Sequence, residues 1–293
     1  MTASQITPHG ATPVQITVPG AVLAALRAEP DNPVGAVALM VPGYTGSKED
    51  FAPLLDPLTC AGLTVLAVDL PGQHESTGPD REQDYHTDEL GRTVTALVAE
   101  LSAAGDRVLL LGHSFGGLVA RSAVLAGARA AGLTLLGSGP GALPPGPRRA
   151  LLDATEPIMR TQGIAAVQRL REARDGMVEP PELSELLRAR FLGSSTAGLL
   201  GMATALRTEP DRVVELAAAL RAGAIPCLVA CGESDDAWPV PVQLDMAARL
   251  GAEVAILPGA GHSPNTENPA ALLDALLPSW RRWLEATNRA TNR

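Results

Sequence analysis

The sequence predicts an α/β fold with a doubly wound, mostly parallel sheet, an N-terminal antiparallel hairpin and an inserted helical cap. Six short runs along the chain are almost continuously apolar, which is typical of strands covered on both faces. Helical patterns lie between most of these runs, and this alternation predicts parallel pairing. With 293 residues, of which 46% are hydrophobic, the chain can bury a large core.

The individual elements follow from these patterns in chain order. We place the six strands at 34–41, 63–69, 107–111, 133–137, 225–231 and 253–257. Helices are predicted at 51–60, 87–103, 118–129, 241–250 and 269–286. Ahead of the first strand, the runs 14–18 and 21–28 flank Pro19-Gly20, so we expect a hairpin that adds an antiparallel edge to the sheet.

Residues 142–210 interrupt the alternation of strands and helices. This segment opens with a proline-rich loop at 144–147, which neither continues a helix nor pairs in a sheet. Helical stretches follow at 148–160, 164–174, 181–190 and 197–206. We therefore expect a core made of residues 14–141 and 211–287, with 142–210 inserted as a helical cap above the sheet.

Charge and cysteine content narrow the possible partners and compartment. The formal net charge is −9 and there is no basic stripe, so we expect no nucleic-acid partner. The three scattered cysteines, Cys60, Cys227 and Cys231, indicate reduced thiols in a cytoplasmic protein. No pair of cysteine and histidine has metal-ligand spacing, and we do not expect the N-terminal residues to form a signal peptide. No run is long enough for a membrane span, and the oligomeric state stays open.

The stretch Gly112-His113-Ser114-Phe115-Gly116 is the most informative motif. It follows a predicted strand and precedes a predicted helix, and its glycines let the turn close tightly. Ser114 then lies at the apex of a strained turn with its hydroxyl exposed, which presents a nucleophile to a carbonyl. The pattern arises by chance in roughly one chain of this kind in ten, so the motif alone is weak evidence. The other residues that a serine nucleophile needs must therefore be found elsewhere in the sequence.

A serine nucleophile needs a base and an acid that orients the base. On this type of sheet the partners follow in the order serine, acid, histidine. Of the five histidines, His262 alone follows Ser114 with an acid between them, and it lies just past the last predicted strand. The acid is expected after the preceding strand, where we favour Asp235, with Asp236 as the alternative and Glu233 as a weaker one.

Two backbone N–H groups are expected to stabilise an oxyanion. One is that of Phe115, at the N-terminus of the helix that follows the serine. The other is that of Tyr44, in the glycine-containing loop after strand 34–41. Asp69 and His74 precede the serine, and for both we expect a structural role, with Asp69 bonding neighbouring N–H groups of its turn.

These blocks, in this order, resemble the α/β-hydrolase superfamily over about residues 34 to 285. The matching blocks are 41–44, 69–72, 112–117, 232–239 and 261–264. The resemblance implies a nucleophile, acid and histidine triad, and the spacing of Gly232, Asp235 and Pro239 fits the family's acidic block. Pro42-Gly43 departs from the His-Gly of many relatives, which changes the side-chain support of the oxyanion loop. The family places its cap where 142–210 lies.

The sequence thus predicts a serine hydrolase that cleaves a carboxylic ester, thioester or lactone of a small acyl substrate without cofactor or metal. Serine as nucleophile argues against the dehalogenases and epoxide hydrolases that resemble this fold. The alternatives are a perhydrolase or other acyltransferase, an aminopeptidase, and a low-turnover ligand-binding protein. For the peptidase, the residues to bind a substrate amine are Glu172, Asp175, Glu179 and Glu182. For a pocket, the large apolar residues to test are Phe191, Met177, Met202 and Trp238, although residues of this kind belong to the core more often.

Overall fold

A sheet of eight strands runs through the centre of the computed structural model, which describes residues 3–175 and 179–291. The spatial order is β1-β2-β4-β3-β5-β6-β7-β8. The strands are β1 Thr12–Val18, β2 Ala21–Ala28, β3 Ala36–Val41, β4 Thr64–Val68, β5 Arg107–His113, β6 Gly132–Leu136, β7 Cys227–Gly232 and β8 Glu253–Leu257. The first two strands form the predicted antiparallel hairpin, and β2 pairs antiparallel with β4. The pairs from β4 onward are parallel, so the predicted fold class is confirmed.

Helices cover both faces of this sheet. They are α1 Ala52–Cys60, α2 Thr87–Ala103, α3 Phe115–Leu125, α4 Pro147–Gln162, α5 Ile164–Asp175, α6 Pro181–Gly193, α7 Thr196–Thr208, α8 Val213–Gly223, α9 Val240–Leu250, α10 Pro264–Glu267 and α11 Pro269–Thr291. One core cluster joins the sheet to α2, α3, α8 and α9, and a second joins it to α1 and α11. Successive β3 residues alternate between them, as Leu39 and Met40 do, which explains why the strand is apolar throughout.

The connections of β3 and β5 leave in opposite directions. From β3 the chain passes to β4 on one side, and from β5 it passes to β6 on the other, while β3 and β5 themselves are paired. Ligands of open α/β sheets bind at such a switch point, outside the carboxyl ends of the strands. The loop after β3 and the turn after β5 meet there, so the sequence segments with Tyr44 and Ser114 lie side by side.

Four helices, α4 to α7, fall within the segment 142–210. The described part of that segment, 142–175 and 179–210, contains no strand. The chain enters and leaves it through one neck, because Ala142 N–H donates to Glu209 O at 2.8 Å and Leu143 N–H donates to Leu206 O at 2.8 Å. The next helix, α8, packs on α3 and α9 and so belongs to the layer that covers the sheet.

The helix predicted at 118–129 is shifted toward the serine. In the structure α3 begins at Phe115, directly after the turn, and ends at Leu125. It stops there because Gly127 adopts a φ of 97°, which breaks the helical path. Within the described residues, no helix combines the length and apolar character that crossing a bilayer requires.

Candidate active site

Ser114 occupies the apex of the turn between β5 and α3. Its backbone has φ 56° and ψ −121°, a left-handed conformation that a residue with a side chain seldom adopts. The turn is closely packed: a Cβ on Gly112 would collide with the carbonyl of Gly116, and a Cβ on Gly116 would collide with the carbonyl of Val41. Glycine at these two positions therefore lets the turn close and the strained serine persist.

The structure brings the three residues of the predicted triad into a hydrogen-bonded chain. His262 Nε2 lies 2.9 Å from Ser114 Oγ, and His262 Nδ1 lies 2.9 Å from Asp235 Oδ1. All three residues are more than nine-tenths buried. Because the carboxylate can only accept at Nδ1, the proton of a neutral His262 stands on Nδ1, and Nε2 faces the serine as an acceptor.

The carboxylate of Asp235 is held from two further sides. Its Oδ1 accepts the N–H of Ala237 at 2.9 Å, and its Oδ2 accepts from Gln243 Nε2 at 2.9 Å. Burial opposes ionisation of Asp235, but the hydrogen bond and charge of His262, with these N–H donors, outweigh it and set the pKa below its ordinary value. Asp235 is therefore ionised at neutral pH.

The other two candidate acids lie away from the histidine. Asp236 is exposed and forms an ion pair with Arg148 at 2.7 Å. Glu233 accepts the N–H of Gly259 at 2.9 Å, which fixes the loop before His262. Among the three acids of this loop, Asp235 alone has a hydrogen bond to His262 in the part of the chain that the structure describes.

Two backbone N–H groups lie where the sequence predicts oxyanion donors. Phe115 is the first residue of α3, so its N–H has no acceptor within the helix. The N–H of Tyr44 has no hydrogen-bond acceptor among the described residues. The loop that carries it lies against the serine, since a Cβ on Gly43 would be 3.1 Å from Ser114 Cβ. A bond from Gln73 Nε2 to Gly43 O at 2.7 Å holds this loop in place.

His113 points back into the fold and is buried. Its Nε2 lies 2.9 Å from the carbonyl of His262, and a carbonyl can only accept, so Nε2 carries the proton. Burial and the neighbouring charge of His262 hold the pKa of His113 well below its ordinary value. His113 is therefore neutral and fixes the backbone of His262 rather than exchanging protons with the serine.

A cavity of about 310 Å³ opens above Ser114 and His262. Its walls come from the loop after β3 and from α4, α5 and α6, and include Leu152, Met159 and Phe191. Phe191 was among the predicted pocket residues, whereas Met177 lies outside the described residues. The other two, Met202 and Trp238, belong to the core, which is the alternative that the sequence left open.

Met202 and Trp238 pack in the core and do not line the cavity. The indole N–H of Trp238 donates to the carbonyls of Gly141 and Ala142 at 3.2 Å, so the ring is turned toward the neck of the insertion. Met202 lies on the face of α7 that packs toward the core cluster of the sheet. The spacing of apolar residues along a helix cannot distinguish this face from the one above the cavity.

The charged residues of the cavity wall are mainly basic. The described lining holds Arg148, Arg171 and Arg190, and Asp50 as the one carboxylate. Of the acids considered for an amine substrate, Glu172, Glu179 and Glu182 do not line it. Glu172 pairs with Arg188 at 3.3 Å, Glu179 and Glu182 are exposed, and the side chain of Asp175 lies outside the described part.

Asp69 and His74 lie in a separate polar cluster under the loop after β3. Asp69 is fully buried and accepts the N–H of Lys48 at 2.7 Å and its ammonium at 3.1 Å. The cluster also contains Glu49 and Glu75, which with His74 form a group that could hold a metal ion. Their carboxylates already bind the Lys48 ammonium at 2.8 and 2.7 Å, so a cation would have to displace it. The geometry agrees with a structural role for Asp69.

Sequence reasoning missed the residues that support the triad. Gln243 bonds Asp235 and the carbonyl of Trp238 at 2.7 Å and is fully buried on α9. The sequence signal for this role was that Gln243 is polar although the other residues on the buried face of that helix are apolar. No sequence signal pairs Asp50 with Arg190, which lie 140 residues apart and meet at 2.5 Å.

Fold and site together define a protein of the α/β-hydrolase class. The sequence pattern of the Alpha/beta hydrolase family matches residues 38–275, and the chain belongs to that family. It is 30% identical over 229 residues to a 2-succinyl-6-hydroxy-2,4-cyclohexadiene-1-carboxylate synthase of Escherichia coli, covering 74% of this chain and 83% of that protein. A 2-hydroxy-6-oxononadienedioate/2-hydroxy-6-oxononatrienedioate hydrolase of Cupriavidus pinatubonensis is 28% identical, with coverages of 78% and 80%.

The fold also matches solved structures over nearly its whole length. A structure from a study of carboxylesterases of Nitrososphaera gargenis superimposes with a TM-score of 0.73. The match covers 93% of this chain and 100% of that one at 18% sequence identity. At this identity the likeness concerns the fold.

Proposed function

We propose that this protein is a serine hydrolase that cleaves a carboxylic ester, thioester or lactone of a small substrate through an acyl-enzyme. The observation that carries the proposal is the pair of 2.9 Å hydrogen bonds that links Asp235 through His262 to Ser114. The strained backbone of Ser114 and its place under the cavity support the same role.

In the first step Ser114 Oγ attacks the substrate carbonyl. His262 Nε2 accepts the hydroxyl proton, and Asp235 keeps the other ring proton on Nδ1 and stabilises the imidazolium that forms. The tetrahedral intermediate collapses when His262 gives its proton to the leaving group. Water then attacks the acyl-enzyme with His262 again as base, which releases the acid and restores the serine.

The N–H groups of Tyr44 and Phe115 are proposed to hold the oxyanion of each tetrahedral intermediate. They face it from two sides, one from the loop after β3 and one from the N-terminus of α3, where the helix dipole favours negative charge. Residues 142–210 are proposed to act as the cap that shapes the pocket, since α4, α5 and α6 supply its upper wall.

The charge of the pocket bears on the alternatives. An aminopeptidase needs carboxylates near the substrate amine, whereas the one carboxylate in the described lining, that of Asp50, is already paired with Arg190. A perhydrolase or another acyltransferase would use the same triad with a different acceptor. Product analysis with water, alcohol and peroxide as acceptors separates these reactions.

Labelling with a fluorophosphonate probe tests the proposal. We expect the wild type to be labelled and Ser114→Ala to lose labelling and at least about 10⁴-fold in kcat against a short acyl ester. Ser102→Ala, on the exposed face of α2, is the matched control and keeps both. Labelling that survives in Ser114→Ala, or a wild type that neither labels nor turns over esters, would overturn the proposal.

A further inference from the structure

We propose that the side chain of Tyr44 couples the helical cap to the oxyanion hole, so that the cap acts on the chemical step and does not only enclose the substrate. This rests on the proposed function, because it takes the Tyr44 N–H as an oxyanion donor and residues 142–210 as the cap. Tyr44 then has two roles. Its backbone N–H faces the reacting carbonyl, and its ring is a positioning group that keeps this N–H in place.

The helices α4 to α7 share an apolar cluster of their own, which we call the cap cluster. Its buried members come from all four helices and are Met159, Val167, Phe191, Leu199 and Leu200. A separate core cluster joins the sheet to the helices on one of its faces. Among the partly buried side chains that the structure describes, Tyr44 is the one that packs against both clusters. Its ring therefore joins the cap to the body of the protein.

The peptide group between Gly43 and Tyr44 is held at its carbonyl end. Gly43 O accepts from Gln73 Nε2 at 2.7 Å and from the N–H of Gly46 at 3.1 Å. Because a trans peptide group is planar, its C=O and N–H point in opposite directions. The two bonds to the carbonyl thus fix one end of the group, and the N–H of Tyr44 lies at the other end.

The rest of the orientation has to come from the Tyr44 side of this peptide group. A Cβ at Gly43 would lie 3.1 Å from Ser114 Cβ, so the close approach of the loop favours glycine there. Glycine has no side chain to anchor and leaves the backbone free to rotate. The ring of Tyr44, packed between the two clusters, is the remaining anchor, and a shift of the ring turns the N–H away from the oxyanion.

A second, ionic contact joins the cap to the same loop. Arg190 on α6 pairs with Asp50, and Asp50 accepts the N–H of Ser47 at 3.2 Å. The cap thus holds the loop through an apolar contact at Tyr44 and through a carboxylate at Ser47. A displaced cap would move the N–H donor relative to Ser114, and a misplacement of about 1 Å can cost roughly 10²-fold in rate.

Variants of Tyr44 itself test the role of the ring, with 4-nitrophenyl butyrate as substrate. Tyr44→Ala keeps the backbone N–H and removes the ring. We expect kcat to fall by about 30- to 100-fold while KM changes less than about threefold. Tyr44→Phe restores the ring without the hydroxyl and should recover at least about tenfold of the lost kcat.

A cap variant tests whether the ring acts through the cap. Leu200 on α7 belongs to the cap cluster but not to the described lining of the cavity, so its side chain does not meet a substrate there. Leu200→Ala should lower kcat by about tenfold, with KM within about twofold. If circular dichroism shows that this variant does not fold, Leu200→Val, a smaller deletion, takes its place.

Leu183→Ala is the matched control in the cap. Leu183 on α6 is 6% exposed against 5% for Leu200, and it lies outside both the cap cluster and the described lining. The two substitutions delete the same atoms from similarly buried positions, so both should lose stability. Only Leu200→Ala should also lose kcat.

A transition-state analogue separates this role from a general loss of structure. Propyl trifluoromethyl ketone has the same propyl group as the butyrate ester. Ser114 Oγ adds to its carbonyl carbon, the electron pair of the C=O π bond moves to oxygen, and the hydroxyl proton passes to His262. The inhibition constant of the ketone should rise in Tyr44→Ala and Leu200→Ala in proportion to the fall in kcat/KM, because both depend on the same oxyanion contacts.

The outcomes separate the two proposals. If the wild type neither labels with fluorophosphonate nor turns over the ester, the proposed function fails first. If the wild type labels but Tyr44→Ala keeps its kcat or changes only in KM, the ring is not a positioning group, and the inference fails while the serine hydrolase stands. If Leu200→Ala loses no more kcat than Leu183→Ala, the coupling to the cap is overturned.

Discussion

Arg190 and Asp50 form a buried ion pair that ties helix α6 to the loop after β3. The two side chains meet at 2.5 Å and are 11% and 9% exposed. Asp50 also accepts the N–H of Ser47 at 3.2 Å and the amide of Gln5 at 3.1 Å. One carboxylate thus joins the upper wall of the pocket, the loop that carries Tyr44 and the N-terminal segment.

Arg190→Gln should destabilise the protein by about 3 kcal/mol, because it leaves the Asp50 carboxylate buried without its main partner. Arg188→Gln, on the exposed side of the same helix, breaks a surface pair with Glu172 and should cost less than about 0.5 kcal/mol. Urea unfolding monitored by circular dichroism measures both. Equal losses in the two variants would contradict the role given to the buried pair.

The same pair predicts a pH dependence. Burial opposes ionisation of Asp50, but the charge and hydrogen bond of Arg190 outweigh it and lower the pKa below its ordinary 3.8. Stability from a lowered aspartate pKa is present above the ordinary value and is lost as the pH falls through the folded value. The difference in unfolding free energy between wild type and Arg190→Gln should therefore narrow in acid. A difference that widens there would contradict this.

Asp235→Asn and Asp236→Asn should behave very differently although the two residues are neighbours. The first removes the carboxylate that holds the tautomer of His262, and kcat should fall by about 10³- to 10⁴-fold. The second removes only a surface partner of Arg148, and kcat for a neutral ester should stay within about threefold. Steady-state kinetics with a neutral 4-nitrophenyl ester measures kcat for both variants and the wild type. A large loss in Asp236→Asn alone would transfer the role of acid to that residue.

His113 should make the fold sensitive to mild acid. Burial and the charge of His262 lower the pKa of His113 in the folded state, so the unfolded chain binds a proton that the folded one does not. Above about pH 6.5 His113 does not lower the free energy of unfolding. Below that pH it lowers the free energy of unfolding by up to about 1.4 kcal/mol per pH unit. Asp50 and Asp235 act on His113 in the opposite sense, which moderates the slope.

Urea unfolding between about pH 7.5 and 5 tests this on the wild type and His113→Gln. The variant should lose less stability on acidification than the wild type, whereas His86→Gln, at an exposed histidine, should parallel the wild type. Parallel curves for wild type and His113→Gln would show that His113 is not the group responsible.

The three thiols should differ sharply in reactivity. Burial raises the pKa of Cys227 to about 12 and that of Cys231 to about 11, and both lie in the buried strand β7. Cys60 is exposed at the end of α1. Iodoacetamide near neutral pH should therefore modify Cys60 in the folded protein and the other two only after unfolding, as mass spectrometry of tryptic peptides can show. Alkylation of Cys231 in the native state would contradict its buried environment.

Much of the fold was accessible from the sequence because its patterns are local. Strands covered on both faces are apolar throughout, and the fully buried β4 begins and ends within one residue of the predicted 63–69. The order of Ser114, Asp235 and His262 along the chain also follows from the topology of the sheet. What the sequence could not give are contacts between distant segments, such as Asp50 with Arg190 or Asp69 with Lys48. For the same reason the sequence could not decide whether Met202 and Trp238 line the pocket or belong to the core, because burial does not say against which surface a residue packs.

The neck at Ala142 and Glu209 has a consequence for how such a protein can change. Because the two ends of segment 142–210 are neighbours in space, the residues between them could be shortened or exchanged without changing the connections between the strands of the sheet. The strand ends that hold Ser114, Asp235 and His262 would stay where they are. New substrate preferences could then arise by replacing one continuous stretch of gene, while the proposed triad is inherited unchanged.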